Sequence, residues 1–142
     1  NVLQLGDAIE VRQLPGPWNA LGAIKFVTPN GAAVFLHDTP ERRDFGRAER
    51  DLSHGCIRVA APVALAEFAL QGNPEWSADR IAAALADSTT LTVPLSAAIP
   101  VFVIYQTVVP RESGGLLVYA DIYGLDRRLD ALLRTGYPYP SP

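Results

Sequence analysis

Three stretches decide how this 142-residue chain folds: Ile24-Lys25-Phe26-Val27, Ala33-Val34-Phe35-Leu36-His37 and Ser53-His54-Gly55-Cys56-Ile57-Arg58-Val59. The first two are rich in β-branched and aromatic residues, and Thr28-Pro29-Asn30-Gly31 lies between them. Asn-Gly is the strongest short-range hairpin signal, so they read as two strands joined by a tight turn, with His37 where the second strand ends. From Asp38 to Ser53 the chain turns polar, with four arginines and five acids. That interval reads as a surface excursion with a short helix, its charges balanced and solvated. The third stretch returns the chain to strand character just after Cys56.

Outward from there, Ala8-Ile9-Glu10-Val11-Arg12 alternates like a half-buried strand, and Leu14-Pro15-Gly16-Pro17-Trp18-Asn19 is a shaped loop, since prolines deny it a regular element. Pro62 opens a helix to Leu70 carrying Val63, Leu65 and Phe68, with Gly72 as its stop signal. Ser77 caps a second helix, Ala78 to Ala86, whose Ile81 and Leu85 share a face. Thr89 to Val93 and Val101 to Val109 read as strands, and Leu116 to Ala120 pairs back across the Ser113-Gly114-Gly115 turn. Asp126 to Arg134 is a last helix with Leu125, Leu129, Leu132 and Leu133 at helical spacing; Tyr137 to Pro142 is a loose tail. The expected class is mainly β with appended helices (α+β), mostly antiparallel.

Composition narrows the function. With 49% hydrophobic residues, 19% charged and a net charge of −3, the chain can bury a core and has no basic excess to neutralise phosphates, which argues against nucleic acid. No apolar run is long enough to span a bilayer. The chain starts at Asn1 with no initiator methionine, so we expect it to be processed or cut from a longer protein, any membrane anchor lying before it. A single cysteine excludes an internal disulfide framework and multi-cysteine metal sites.

Both histidines of the chain precede that cysteine, His54 by two positions and His37 by nineteen. A thiol is only slightly ionised at neutral pH, and an imidazole within hydrogen-bond reach raises its thiolate fraction and then shuttles the proton. Gly55 removes a side chain where the backbone must turn sharply, as a pocket of N–H donors for an oxyanion requires. The competing reading is a buried thiol beside hydrogen-bonded histidines and a glycine bulge. A zinc site of His37, His54 and Cys56 has the right ligand types but no carboxylate or outer pattern to support it, so no metal or cofactor is expected.

Ser53-His54-Gly55-Cys56-Ile57-Arg58 with upstream His37 resembles the signature of the L,D-transpeptidase catalytic domain. The likeness extends through Pro15-Gly16-Pro17-Trp18-Asn19-Ala20-Leu21-Gly22, Lys25-Phe26, Leu36-His37-Asp38-Thr39-Pro40, Phe45 and Asp121-Ile122-Tyr123-Gly124, and points to the large envelope-anchored branch with an upstream peptidoglycan-binding module. The resemblance implies an antiparallel β sandwich over residues 1–136, short of its N-terminal start. It also implies a reaction on peptidoglycan stem peptides in the periplasm or envelope, and acylation by carbapenems. Cys56 would attack the third-residue carbonyl of a donor stem and release D-alanine. A diamino-acid amine of an acceptor stem would then resolve the thioester into a third-to-third cross-link.

By the same resemblance His37 is the base, oriented by a backbone carbonyl, which we expect to be that of Asp38; spacing alone does not exclude His54. Gly55 and Cys56 would supply oxyanion N–H groups, with His54 shaping the pocket and Ser53 holding the turn. Arg58 either pairs a substrate carboxylate or neutralises a structural acid such as Asp51, the second being favoured. Trp18 and Asn19 either line a peptide or sugar groove or lock their loop, and Asp38 stands with the substrate contacts. Tyr123 reads as structural. Alternatives are an L,D-carboxypeptidase with water as acceptor and an inactive wall-binding module. A papain-like amidase would want a histidine after the cysteine, and none follows.

Overall fold

A computed structural model of the chain describes the backbone at residues 2–5 and 8–11 and the whole of residues 13, 18–87 and 89–135. Among the described residues, short strands in three small sheets and three helices make it a mixed α+β protein, divided into two compact units, residues 1–101 and 102–142.

In the first unit β1 (Val2–Leu5) and β2 (Ala8–Val11) pair antiparallel, Val2 opposite Val11 and Leu5 opposite Ala8. The alternation at Ala8 to Arg12 marks β2, whereas β1 carries no signal that we read. The central sheet is β3 (Lys25–Phe26), β4 (Leu36–His37) and β5 (Ile57–Arg58), in that order. β3 and β4 are antiparallel, but β4 and β5 are parallel, Leu36 level with Ile57 and His37 with Arg58. Every other strand pair among the described residues is antiparallel, in keeping with the mostly antiparallel expectation; here the polar excursion is a crossover, and parallel neighbours need one. Its one regular piece is a 3-10 turn, Arg42–Gly46.

The hairpin at Asn30-Gly31 also differs from expectation. Only two residue pairs join β3 to β4, and the loop between them is organised by the Asn30 side chain. Its Oδ1 accepts from the N–H groups of Ala32 and Val34, and its Nδ2 donates to the carbonyls of Thr28 and Val34. An asparagine amide that supplies its own turn bonds replaces the tight Asn-Gly turn.

Two helices finish the unit. α1 (Pro62–Ala69) starts on its proline, and Pro62 and Ala66 are its buried residues, while Val63 and Phe68 face outward. α2 (Ala78–Ala86) begins where Ser77 Oγ accepts from Arg80 N–H at 3.2 Å, and Ile81 buries one turn before half-buried Leu85. No strand forms at 89–93 among the described residues, and of 101–109 only the end is paired. β-branched sequence fits a sheet but does not make one; a strand needs an edge to pair with, and Pro94 and Pro100 remove donors here.

The second unit holds an antiparallel pair, β6 (Val108–Pro110) and β7 (Leu116–Val118), closed by Gly114 and Gly115 at φ +85° and +84°, and then α3 (Leu125–Arg134). The tail expected at Tyr137 to Pro142 and the loop residues Leu14 to Pro17 lie outside the described residues.

Candidate active site

Three consecutive polar residues are buried: His37, Asp38 and Thr39 are 5%, 7% and 2% exposed. Burying polar groups is costly unless each finds a partner, and here each does. His37 is held in the sheet from both sides. Asp38 N–H donates to the Ile24 carbonyl at 2.8 Å, and the His37 carbonyl accepts from Val59 N–H at 2.8 Å. The His37 ring stands edge-on to Phe35, centroids 5.8 Å apart, and Lys25 Nζ lies 3.8 Å from the Phe35 centroid.

His37 Nδ1 hydrogen-bonds the carbonyl of Asp38. A carbonyl only accepts, so the ring proton sits on Nδ1 and the Nε2 lone pair is left to take a proton, the tautomer a general base requires. Both oxygens of the Asp38 carboxylate are engaged within the fold. Oδ2 accepts from Ala23 N–H at 2.9 Å, and Oδ1 accepts from Thr39 N–H at 2.7 Å and from the Arg42 guanidinium. The Asp38 carboxylate, expected among the substrate contacts, is thus bonded within the fold, while its backbone carbonyl meets His37 Nδ1. Gly22, at φ +61°, lies so close that a β-carbon there would overlap Asp38 Cγ and Oδ2.

The cysteine stands immediately before the neighbouring strand, β5. Ile57 N–H donates to the Phe35 carbonyl at 2.9 Å, so the register runs Phe35, Leu36, His37 beside Cys56, Ile57, Arg58. Cys56 is half-buried one position before β5, level with Phe35. Immediately before it, Ser53–Gly55 is a bend. Gly55 holds φ +128°, a conformation that favours glycine, and its N–H donates to Ser53 Oγ at 3.2 Å. That N–H, expected to face an oxyanion, is thus occupied by serine, while the Cys56 N–H has no partner among the described residues. His54 is exposed on the bend, in contrast to His37. Among the described residues no group of three His, Cys, Asp or Glu is placed to hold a metal ion.

Arg58 is paired inside the fold, Nη1 donating to Asp44 Oδ2 at 2.8 Å; the structural acid is Asp44, not Asp51. Trp18 is 85% exposed, so it does not lock its loop against the core. The Asn19 side chain builds the turn, its Oδ1 accepting from Leu21 N–H at 2.9 Å. Sequence reading missed Gln13, which donates to the Trp18 carbonyl at 2.6 Å and accepts from Ala20 N–H at 3.0 Å. It also missed Arg42 and Lys25. For Lys25, which pairs opposite His37, the sequence held no signal; for Arg42 the signal was the i, i+4 spacing from Asp38.

In the second unit Asp121 explains the Asp121-Ile122-Tyr123-Gly124 segment. Its carboxylate accepts from the N–H groups of Leu125, Asp126 and Arg127 and from the Tyr105 hydroxyl, capping α3 across the left-handed Gly124. Partial burial pushes the Asp121 carboxyl up, but the N–H donors and the hydroxyl outweigh it and hold the group below the usual aspartate value. Tyr105 is raised in turn, by loss of water and by the carboxylate it bonds. Tyr123 packs edge-on to Tyr105 at 5.0 Å.

Residues 3–81 match the family model described as YkuD, L,D-transpeptidase catalytic domain, a span that includes β3–β5, His37 and Cys56. Over 120 residues, 84% of this chain, the sequence is 40% identical to a Haemophilus influenzae protein named "Putative L,D-transpeptidase". The chain spans 24% of that relative's length.

Proposed function

The chain belongs to the L,D-transpeptidase catalytic-domain family, and from that premise we propose that it is a cysteine acyltransferase that cross-links peptidoglycan stems in the periplasm or envelope, on the family's β-sandwich scaffold. The observation that carries this reading is the parallel pairing of β4 with β5. It sets a buried histidine, with Nδ1 committed to a backbone carbonyl, beside the strand that begins after Cys56.

In this reading His37 Nε2 takes the thiol proton as Cys56 Sγ bonds to the third-residue carbonyl carbon of a donor stem. The oxyanion is met by Cys56 N–H, joined by Gly55 N–H once Ser53 Oγ releases it. Collapse breaks the amide bond, and His37 hands its proton to the departing amine of D-alanine. An acceptor side-chain amine then attacks the thioester, returns a proton through His37 and frees the thiol. Trp18 and His54, both exposed, line the substrate groove; Arg58, Asp38 and Asn19 shape it from behind.

Intact-mass measurement after meropenem treatment tests the reading. The expected result is one covalent adduct, lost in Cys56→Ala. His37→Gln should acylate roughly two to four orders of magnitude more slowly while His54→Gln changes little. Incubation with tetrapeptide stems separates the alternatives: D-alanine release without cross-links identifies an L,D-carboxypeptidase. A folded protein giving neither adduct nor D-alanine favours the inactive wall-binding module.

A further inference from the structure

The arginines of residues 42–50 read from sequence as a balanced solvated surface, but Arg42 stands apart. One arm of its guanidinium bonds Asp38 Oδ1, and the other donates to the Ala60 carbonyl at 2.7 Å. Ala60 follows Val59, whose N–H holds the His37 carbonyl, and Asp38 owns the carbonyl that holds His37 Nδ1. The contacts close a circuit around the histidine: His37 to Val59 and Ala60, to Arg42, to Asp38, and back to His37. A two-armed planar cation suits this junction because it ties two acceptors at a fixed separation, which a lysine ammonium on a flexible stem does not.

We propose that Arg42 is a positioning residue for the active-site base: by tying Asp38 to the segment after the cysteine strand, it fixes the Asp38 carbonyl and so holds His37 in the tautomer with Nε2 unprotonated. The catalytic role of His37 rests on the function proposed above, whereas the control of its tautomer does not. Arg42 is half-exposed and touches no reacting atom, so its effect passes through Asp38.

The test uses the whole chain labelled with 15N-histidine, its His37 signals assigned by comparison with His54→Gln. Two-bond 1H–15N spectra report the tautomer, and iodoacetamide alkylation of Cys56 at neutral pH reports thiol activation without any stem peptide. The wild type should show a single His37 tautomer protonated at Nδ1. Arg42→Ala should populate both tautomers and slow alkylation roughly ten- to a hundredfold, the scale of a misplaced catalytic group. Arg42→Lys, which keeps one arm, should fall between. The proposal is overturned if Arg42→Ala, with a native amide spectrum, keeps the single tautomer, whether or not alkylation slows. If Arg42→Ala does not fold, Arg42→Lys decides, and wild-type values on both readouts refute the proposal. Failure of the stem-peptide assays with the tautomer effect intact would count against the transpeptidase reading alone.

Discussion

Gly22→Ala should be among the most damaging single-methyl changes in this protein. Gly22 adopts φ +61° while its N–H donates to the Asn19 carbonyl at 2.8 Å, so the turn cannot relax without losing that bond. An alanine in the left-handed region costs about 1–2 kcal/mol. The added carbon would also overlap Asp38 Cγ, Oδ2 and Cβ. Asp38 cannot retreat freely: its side chain is 10% exposed and both oxygens are bonded. Giving up one charge-assisted hydrogen bond costs a further ~1.5–3 kcal/mol, for a total of about 2.5–5 kcal/mol out of the roughly 5–15 kcal/mol typical of a domain. Urea unfolding at neutral pH followed by tryptophan fluorescence measures this, with Gly31→Ala as control, since a β-carbon at Gly31 meets nothing within 4 Å. The control should stay within about 0.5 kcal/mol of wild type. Equal urea midpoints for Gly22→Ala and Gly31→Ala would refute the argument that Asp38 is immovable.

Two further expectations concern charged groups. Asp121 has a carboxyl pKa lowered by the α3 N–H groups and Tyr105, so its stabilisation is complete above the ordinary aspartate pKa of the unfolded chain and is lost as pH falls through the lower folded value. Asp121→Asn should therefore show less helix by circular dichroism than wild type at neutral pH, with the gap closing in strong acid; a gap that persists there would mean the charge is not what caps α3. Arg58→Met removes the cation on Asp44 and should destabilise by about 1–2 kcal/mol, Arg47 still lying 3.5 Å from that carboxylate. The meropenem acylation rate of the folded variant should stay within about threefold of wild type, and a large rate loss at unchanged stability would restore a substrate-carboxylate role for Arg58.

Short-range features were legible in the residues themselves. Pro62 opens α1, Ser77 caps α2 on Arg80 N–H, Ile81 and Leu85 share a face, and the double glycine turns β6 into β7. Each depends on contacts within a few positions, where residue type nearly fixes geometry. The concentration of His37, His54, Gly55 and Cys56 was likewise plain, because reactive side chains are chemically distinct wherever they fall.

Pairing across distance was not legible, because strand propensity measures fit to a neighbour that the sequence does not name. Thr89 to Val93 had the composition of a strand and forms none among the described residues, while Ile57–Arg58 lies parallel to β4 across a crossover that composition marks only as polar. The partners of the carboxylates were equally hidden. Asp38 reaches back fifteen residues to Ala23, Asp44 takes Arg58 fourteen residues away, and Asp121 takes Tyr105 sixteen before it. The sequence by itself singled out the two histidines and the cysteine as candidates for the chemistry and marked where the helices begin. Only the tertiary structure decided which histidine is buried with its tautomer set and which is left in water, because that choice is made by backbone carbonyls and burial, and every residue carries the same carbonyl.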